Sequence, residues 1–113
     1  MRVEAKKYLH DISHAADSIA RFVTARSLDD FENDAMLRSA VERQFEIIGE
    51  ALAQLARLDP ALAERITECR RIIGFRNILI HGYAEVDPRM VWDIIETKLP
   101  RLRREVREIL TGG

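Results

Sequence analysis

The chain has 113 residues, 47% hydrophobic and 33% charged, with only 5 Gly and 3 Pro, which fits one helical core and speaks against a β-sandwich or a disordered tail. Its formal net charge of -1 gives no overall field to draw in nucleic acid, so any RNA or DNA contact must come from a local patch. A single cysteine, Cys69, leaves no disulfide framework within the chain, and neither a membrane-length apolar run nor a signal-peptide core is visible, so a cytoplasmic protein with no membrane partner is expected.

Tyr8, Ile12, Ala15, Ile19 and Phe22 recur at alternating steps of four and three, which predicts an amphipathic helix over about residues 2–25. In "SLDD", Ser27 can cap a new turn, with Asp30 placed as the acid of a capping box. A second long helix runs to about Leu58, with Leu37, Val41, Phe45, Ile48, Leu52 and Leu55 as its core stripe. "DP" at 59–60 and again at 87–88 reads as an Asp N-cap before a Pro in the first helical position. These open a short helix at Pro60 and the last helix at Pro88; a helix from Thr67 to about Gly82 lies between them. The last helix buries Val91, Ile94, Ile95, Leu99, Leu102, Val106 and Ile109. Pro100 removes the bond to the Glu96 carbonyl and kinks it. The expectation is an all-α, up-and-down bundle of four main helices plus a short one. Residues 1–113 form a single helical domain with a frayed "TGG" end.

"RNILIHGY", residues 76–83, is the odd stretch. On a helical wheel Ile66, Cys69, Ile72, Ile73, Leu79, Ile80 and Tyr83 share one broad arc with Arg76 in its middle. Asn77 and His81, four apart, share its edge. Phe75 and Ile78 lie on the other side beside Gly74, so the helix is apolar on two faces, one for the core and one for a second chain. An unpaired guanidinium in such an arc costs several kcal/mol or more. Either Arg76 pairs with a carboxylate of another helix and His81 is a satisfied edge residue, or Arg76 meets an anionic ligand in a cleft between subunits, with His81 beside it. RNA cleavage without metal needs groups that move protons and a cation for the transition state, which histidine and arginine supply. Two copies across a twofold axis would supply a pair of each.

Other candidates carry less. Glu42, Glu46 and Glu50 repeat every four residues opposite the core stripe and read as a solvated face. His10 and His14 have metal-ligand spacing but no evident acidic or Cys partner. Arg101, Arg103, Arg104 and Arg107 can bind phosphate or an acidic partner, or simply complement a helix C-terminus. There is no glycine-rich phosphate loop and no G-x-S-x-G.

Arg-x4-His alone is expected by chance about 0.4 times in this composition, but with Tyr two residues later the figure falls below about 0.01. The extended motif resembles the Arg-x4-His-x-Tyr signature of HepT-like proteins, a branch of the HEPN superfamily. "VERQFEIIGEAL", "RRIIGFRNILIHGYAEVD" and "VWDIIETKLPRL" extend the resemblance over most of the chain. It implies a four- or five-helix HEPN-type bundle that dimerises into a composite ribonuclease site needing no metal or cofactor. Arg76 and His81 would be the catalytic pair, Asn77 their supporting neighbour, and tRNA or mRNA the substrate. The resemblance also implies a toxin–antitoxin pair of type VII kind, in which an MntA-type nucleotidyltransferase antitoxin transfers AMP onto Tyr83. AMP there would put an anion near Arg76 and fill the RNA cleft. The other function in view is a non-catalytic nucleotide- or phosphate-binding subunit of a nucleotidyltransferase complex; a purely structural module is disfavoured by the arginine in the apolar arc.

Overall fold

The computed structural model describes residues 1–82 and 86–112. Among these the chain forms helices only: α1 (Val3–Phe22), α2 (Leu28–Glu32), α3 (Ala35–Leu58), α4 (Pro60–Ala63), α5 (Cys69–His81), α6 (Pro88–Thr97) and α7 (Leu99–Leu110). This is the expected all-α, up-and-down bundle, with four long arms (α1, α3, α5 and the α6–α7 pair) and two short helices. The central arm is α3, packed on α1 along one side and on α5 along the other, while α7 closes against α1. The extents, 42 × 30 × 19 Å, make a slab two helices thick, since a helix with side chains is about 10 Å across.

The stripes meet as their periods require. Leu9, Ile12 and Ile19 of α1 and Val41, Phe45, Ile48, Leu52 and Leu55 of α3 are fully buried, and so are Val91, Leu102 and Val106 of the last arm. Burying each such side chain is worth about 1.5–3 kcal/mol.

Polar residues set the ends. Ser27 Oγ accepts from the Asp30 N–H at 3.1 Å and Asp30 Oδ2 accepts from the Ser27 N–H at 2.8 Å. That backbone donor, then the Ser27 hydroxyl, holds the Asp30 carboxyl below its ordinary range. The turn so opened is only five residues long. Its Phe31 lies 5.3 Å from the Trp92 ring of α6, and Asp34 caps α3 afresh through the Leu37 N–H at 3.0 Å. Asp59 and Asp87 cap α4 and α6, at 3.1 Å from the Leu62 N–H and 2.9 Å from the Arg89 N–H.

The last arm breaks at Lys98 into α6 and α7, because Pro100 has no N–H for the Glu96 carbonyl. The motif helix begins at Cys69, two residues later than expected. Glu105 of α7 accepts from the Thr67 N–H at 3.0 Å and from its hydroxyl at 2.7 Å, so Thr67 is anchored outside the helix. The arginines of α7 are spent on similar fastenings: Arg103 and Arg107 reach Asp17 of α1 at 3.0 and 3.9 Å, and Arg101 reaches Glu68 at 3.9 Å. No helix among the described residues is long and apolar enough to cross a membrane.

Candidate functional site

The wheel of α5 needs one correction. Its core face is Cys69, Ile72 and Phe75, and Phe75 meets the Phe45 ring edge-on at 5.2 Å. Phe75 is therefore core, not part of a face left for a second chain. The uncovered side carries Arg70, Arg71, Gly74, Asn77, Ile78 and His81, all exposed. The sequence misled here because α5 is apolar on both sides, and periodicity alone does not say which side turns inward.

Arg76 lies at the margin of the core face, leaning on α3 at Gly49. A Cβ on Gly49 would stand 2.2 Å from Arg76 Cβ, 2.7 Å from its Cγ and 3.3 Å from the Ile72 carbonyl oxygen. Only glycine lets the two helices close at this point. Beside it, Glu50 Oε2 accepts from Arg76 Nη2. Arg76 Nη1 donates to Asn77 Oδ1 at 3.0 Å, and Gln54 Nε2 donates to Glu50 Oε1 at 3.0 Å. The chain Gln54–Glu50–Arg76–Asn77 fixes the guanidinium, whose side chain is 24% exposed. Of its five N–H donors, these bonds use two; Nε is buried with no acceptor among the described residues.

Gly49 is the residue the sequence reading missed; the carboxylate of another helix that it offered as one partner of Arg76 is present, but it is Glu50, read there as part of a solvated face. A lone glycine inside a strong helical pattern costs about 1 kcal/mol relative to alanine and is kept for a packing reason; that was the available signal. Gly49→Ala should therefore lower stability by about 1–3 kcal/mol despite alanine's better helix propensity, because the clash is with the root of Arg76 and a backbone carbonyl. Urea denaturation measures it, and an unchanged midpoint would mean that the helices separate freely.

The carboxylate row is not a freely solvated face either: Glu42, Glu46 and Glu50 are all half-buried, and burial pushes the Glu42 carboxyl above its ordinary range. A raised folded-state value favours the protonated form on folding, so its stabilising share is full at low pH and lost as pH rises through the folded-state value. Glu42→Gln should then gain stability over the parent at neutral pH, by less than about 1 kcal/mol at this partly exposed site. The gain should shrink to nothing below the carboxylate range; thermal unfolding at pH 7 and at acid pH compares the two.

His81 ends α5 and is exposed. Five residues on from Arg76 puts it about 140° around the axis at 100° per residue. Within one chain the structure joins Arg76 to Asn77 but turns His81 to the exposed side, four residues beyond Asn77; no hydrogen bond of the His81 imidazole ties it to either among the described residues. Tyr83 lies outside the described residues. Before it, α5 stops at His81 and Gly82 is extended, with φ -69° and ψ 127°, in keeping with the helix end expected at about Gly82. His10 and His14 are exposed on α1, and no group of three or more potential metal ligands gathers among the described residues.

Arg76 and Glu50 also line a cleft of about 430 Å³ between α1, α3 and α5, walled by Tyr8 and reaching Ile80. The arrangement is a fixed cation in the wall of a cleft, with a histidine on the exposed face of the same helix.

The family model "Ribonuclease HepT-like" matches residues 12–109. The "Probable ribonuclease HepT" of Thermococcus cleftensis is 32% identical over 113 residues, covering 96% of this chain and 98% of that protein. The "Putative RNase MJ1380" of Methanocaldococcus jannaschii is 32% identical over 105 residues, covering 91% of this chain and 94% of that protein. No solved structure gives a significant match. With its all-α bundle of HEPN type, the chain belongs to the HepT-like ribonuclease family.

Proposed function

We propose that the chain is a metal-independent endoribonuclease acting as a homodimer, the toxin of a toxin–antitoxin pair. The observation that carries this reading is the Arg76 socket. Gly49, Glu50 and Asn77 hold a guanidinium in a cleft wall with donors to spare, and a preset cation is what a phosphorane-like transition state needs. In the proposed reaction a histidine takes the 2′-hydroxyl proton, the 2′-oxygen attacks the adjoining phosphorus, and the P–O bond to the 5′-oxygen breaks as that oxygen gains a proton. The products are a 2′,3′-cyclic phosphate and a 5′-hydroxyl. Because Arg76 and His81 diverge on one helix, a second copy would bring a His81 toward the Arg76 of the first. Cutting of RNA by the purified protein should persist in EDTA and vanish in the Arg76→Ala/His81→Ala double variant; metal-dependent or undiminished cutting would remove this reading.

Control through Tyr83 belongs to the same proposal. Its phenolic oxygen would attack the α-phosphorus of ATP in a nucleotidyltransferase partner, with loss of pyrophosphate. Tyr83→Phe should cut RNA like the parent and resist neutralisation. Intact mass after incubation with partner, ATP and magnesium should show AMP on the parent and none at this site in Tyr83→Phe. Equal silencing of both proteins would mean control by binding alone.

One feature supports a second reading. Glu50 already balances the Arg76 charge, which leaves less of it for a transition state, while the unused N–H donors can still hold a phosphate in a non-catalytic nucleotide- or phosphate-binding subunit. That reading predicts nucleotide binding with no strand cutting.

A further inference from the structure

The cleft between α1, α3 and α5 extends beyond what Arg76 occupies. Its charged lining comes in pairs: Lys7 with Asp11 at 3.2 Å, Arg43 with Glu46 at 3.3 Å, and Arg76 with Glu50. Away from Arg76, which keeps unused N–H donors, a lining so balanced offers little net attraction to a second phosphate. What remains is the chemistry of a base pocket. Tyr8 gives an aromatic wall, and Ile47 and Ile80 give apolar surface. The Lys7 ammonium stands 5.8 Å from the Tyr8 ring centroid, and its side chain is 71% exposed, so it can leave that ring for a backbone phosphate.

The lining also keeps unused donors and acceptors. One N–H of the Gln54 amide goes to Glu50, which leaves the other N–H and Oε1. Asp11 uses Oδ2 for Lys7 and Glu46 uses Oε1 for Arg43, which leaves one oxygen on each beside the remaining N–H groups of Arg43. Such a mixed set can meet the edge of any base, so preference comes from stacking, and a purine offers Tyr8 the larger face.

We propose that this cleft seats the nucleobase adjoining the phosphate held at Arg76, stacked on Tyr8 between the Ile47 and Ile80 side chains, with a purine favoured by its larger face. The assignment rests on the ribonuclease reading for what Arg76 holds. It makes Tyr8 of α1 a specificity determinant of the RNA site, away from the motif helix.

The test uses uncleavable 2′-O-methyl trinucleotides of adenosine and of uridine, titrated into the ¹⁵N-labelled protein. The adenosine trimer should bind saturably, with amide shifts at Tyr8, Gln54 and Ile80, and at least about threefold more tightly than the uridine trimer, because the purine face stacks better. Tyr8→Leu should weaken it about tenfold or more and erase the preference for adenosine, while Tyr8→Phe, which keeps the ring, should stay within about twofold. Shifts confined to other surfaces, or a Tyr8→Leu protein that binds like the parent, would overturn the proposal. If the parent cuts RNA and these variants bind and cut as it does, the base pocket fails and the ribonuclease reading stands. If the trimer fills the cleft but no RNA is cut, the ribonuclease reading fails and the pocket stands.

Discussion

Phe75→Glu should unfold the chain, whereas Ile78→Glu, three residues on along the same helix, should leave it folded. Phe75 is 3% exposed and packs against Phe45. Losing its ring costs about 3–5 kcal/mol, and a carboxylate in its place adds several more unless it escapes to water. Against a total stability of about 5–15 kcal/mol, that removes most or all of the native state. Ile78 is 50% exposed, so a charge there should alter the stability of one chain by no more than about 0.5 kcal/mol. Under the proposed dimer it should separate the subunits, because it lies on the uncovered side with Gly74 and Asn77. Circular dichroism with sedimentation at micromolar concentration distinguishes the two variants. A helical, monomeric Phe75→Glu protein would put Phe75 back at an interface.

Arg76→Ala and His81→Ala should each abolish most RNA cutting, for different reasons. Removing the cation aimed at a developing phosphorane should cost about 10²–10³ in rate, and removing a proton-transfer group about 10²–10⁴. Their structural effects should differ too. Arg76→Ala leaves Glu50 without its cation partner, though Glu50 keeps the Gln54 amide. With the pair half-exposed, the loss should be about 1 kcal/mol. His81 is exposed and its imidazole makes no hydrogen bond among the described residues, so His81→Ala should melt like the parent. Initial rates on a labelled RNA, set beside thermal unfolding, separate the two effects. A rate for Arg76→Ala within a few-fold of the parent would show that the socket serves packing alone.

Much of this architecture is legible in the residues. The α3 stripe, the Ser27–Asp30 box, the two Asp-Pro starts and the break at Pro100 follow from local rules of period and capping, and the structure has each of them. Less legible was which side of α5 turns inward, because Phe75 and Ile78 look alike to any apolar pattern while only one of them meets Phe45. The partner of Arg76 was hidden for a related reason. Glu50 repeats with Glu42 and Glu46 like a solvated face, and it takes the three-dimensional approach of α5 at Gly49 to single it out. The end of α5 was legible only in part. Gly82 marks where the helix stops, while the expected place of Tyr83 lies outside the described residues.

The central claim is that Arg76 and His81 cleave RNA by attack of its own 2′-hydroxyl, and the most direct measurement is the chemistry of the cut ends. Purified protein, RNA and excess EDTA are incubated together, and the fragments are weighed by mass spectrometry for the parent and for His81→Ala. The account predicts 2′,3′-cyclic phosphate and 5′-hydroxyl ends from the parent, with almost no fragments from His81→Ala. Fragments ending in 3′-hydroxyl and 5′-phosphate, or cyclic phosphate ends formed equally by both proteins, would contradict it.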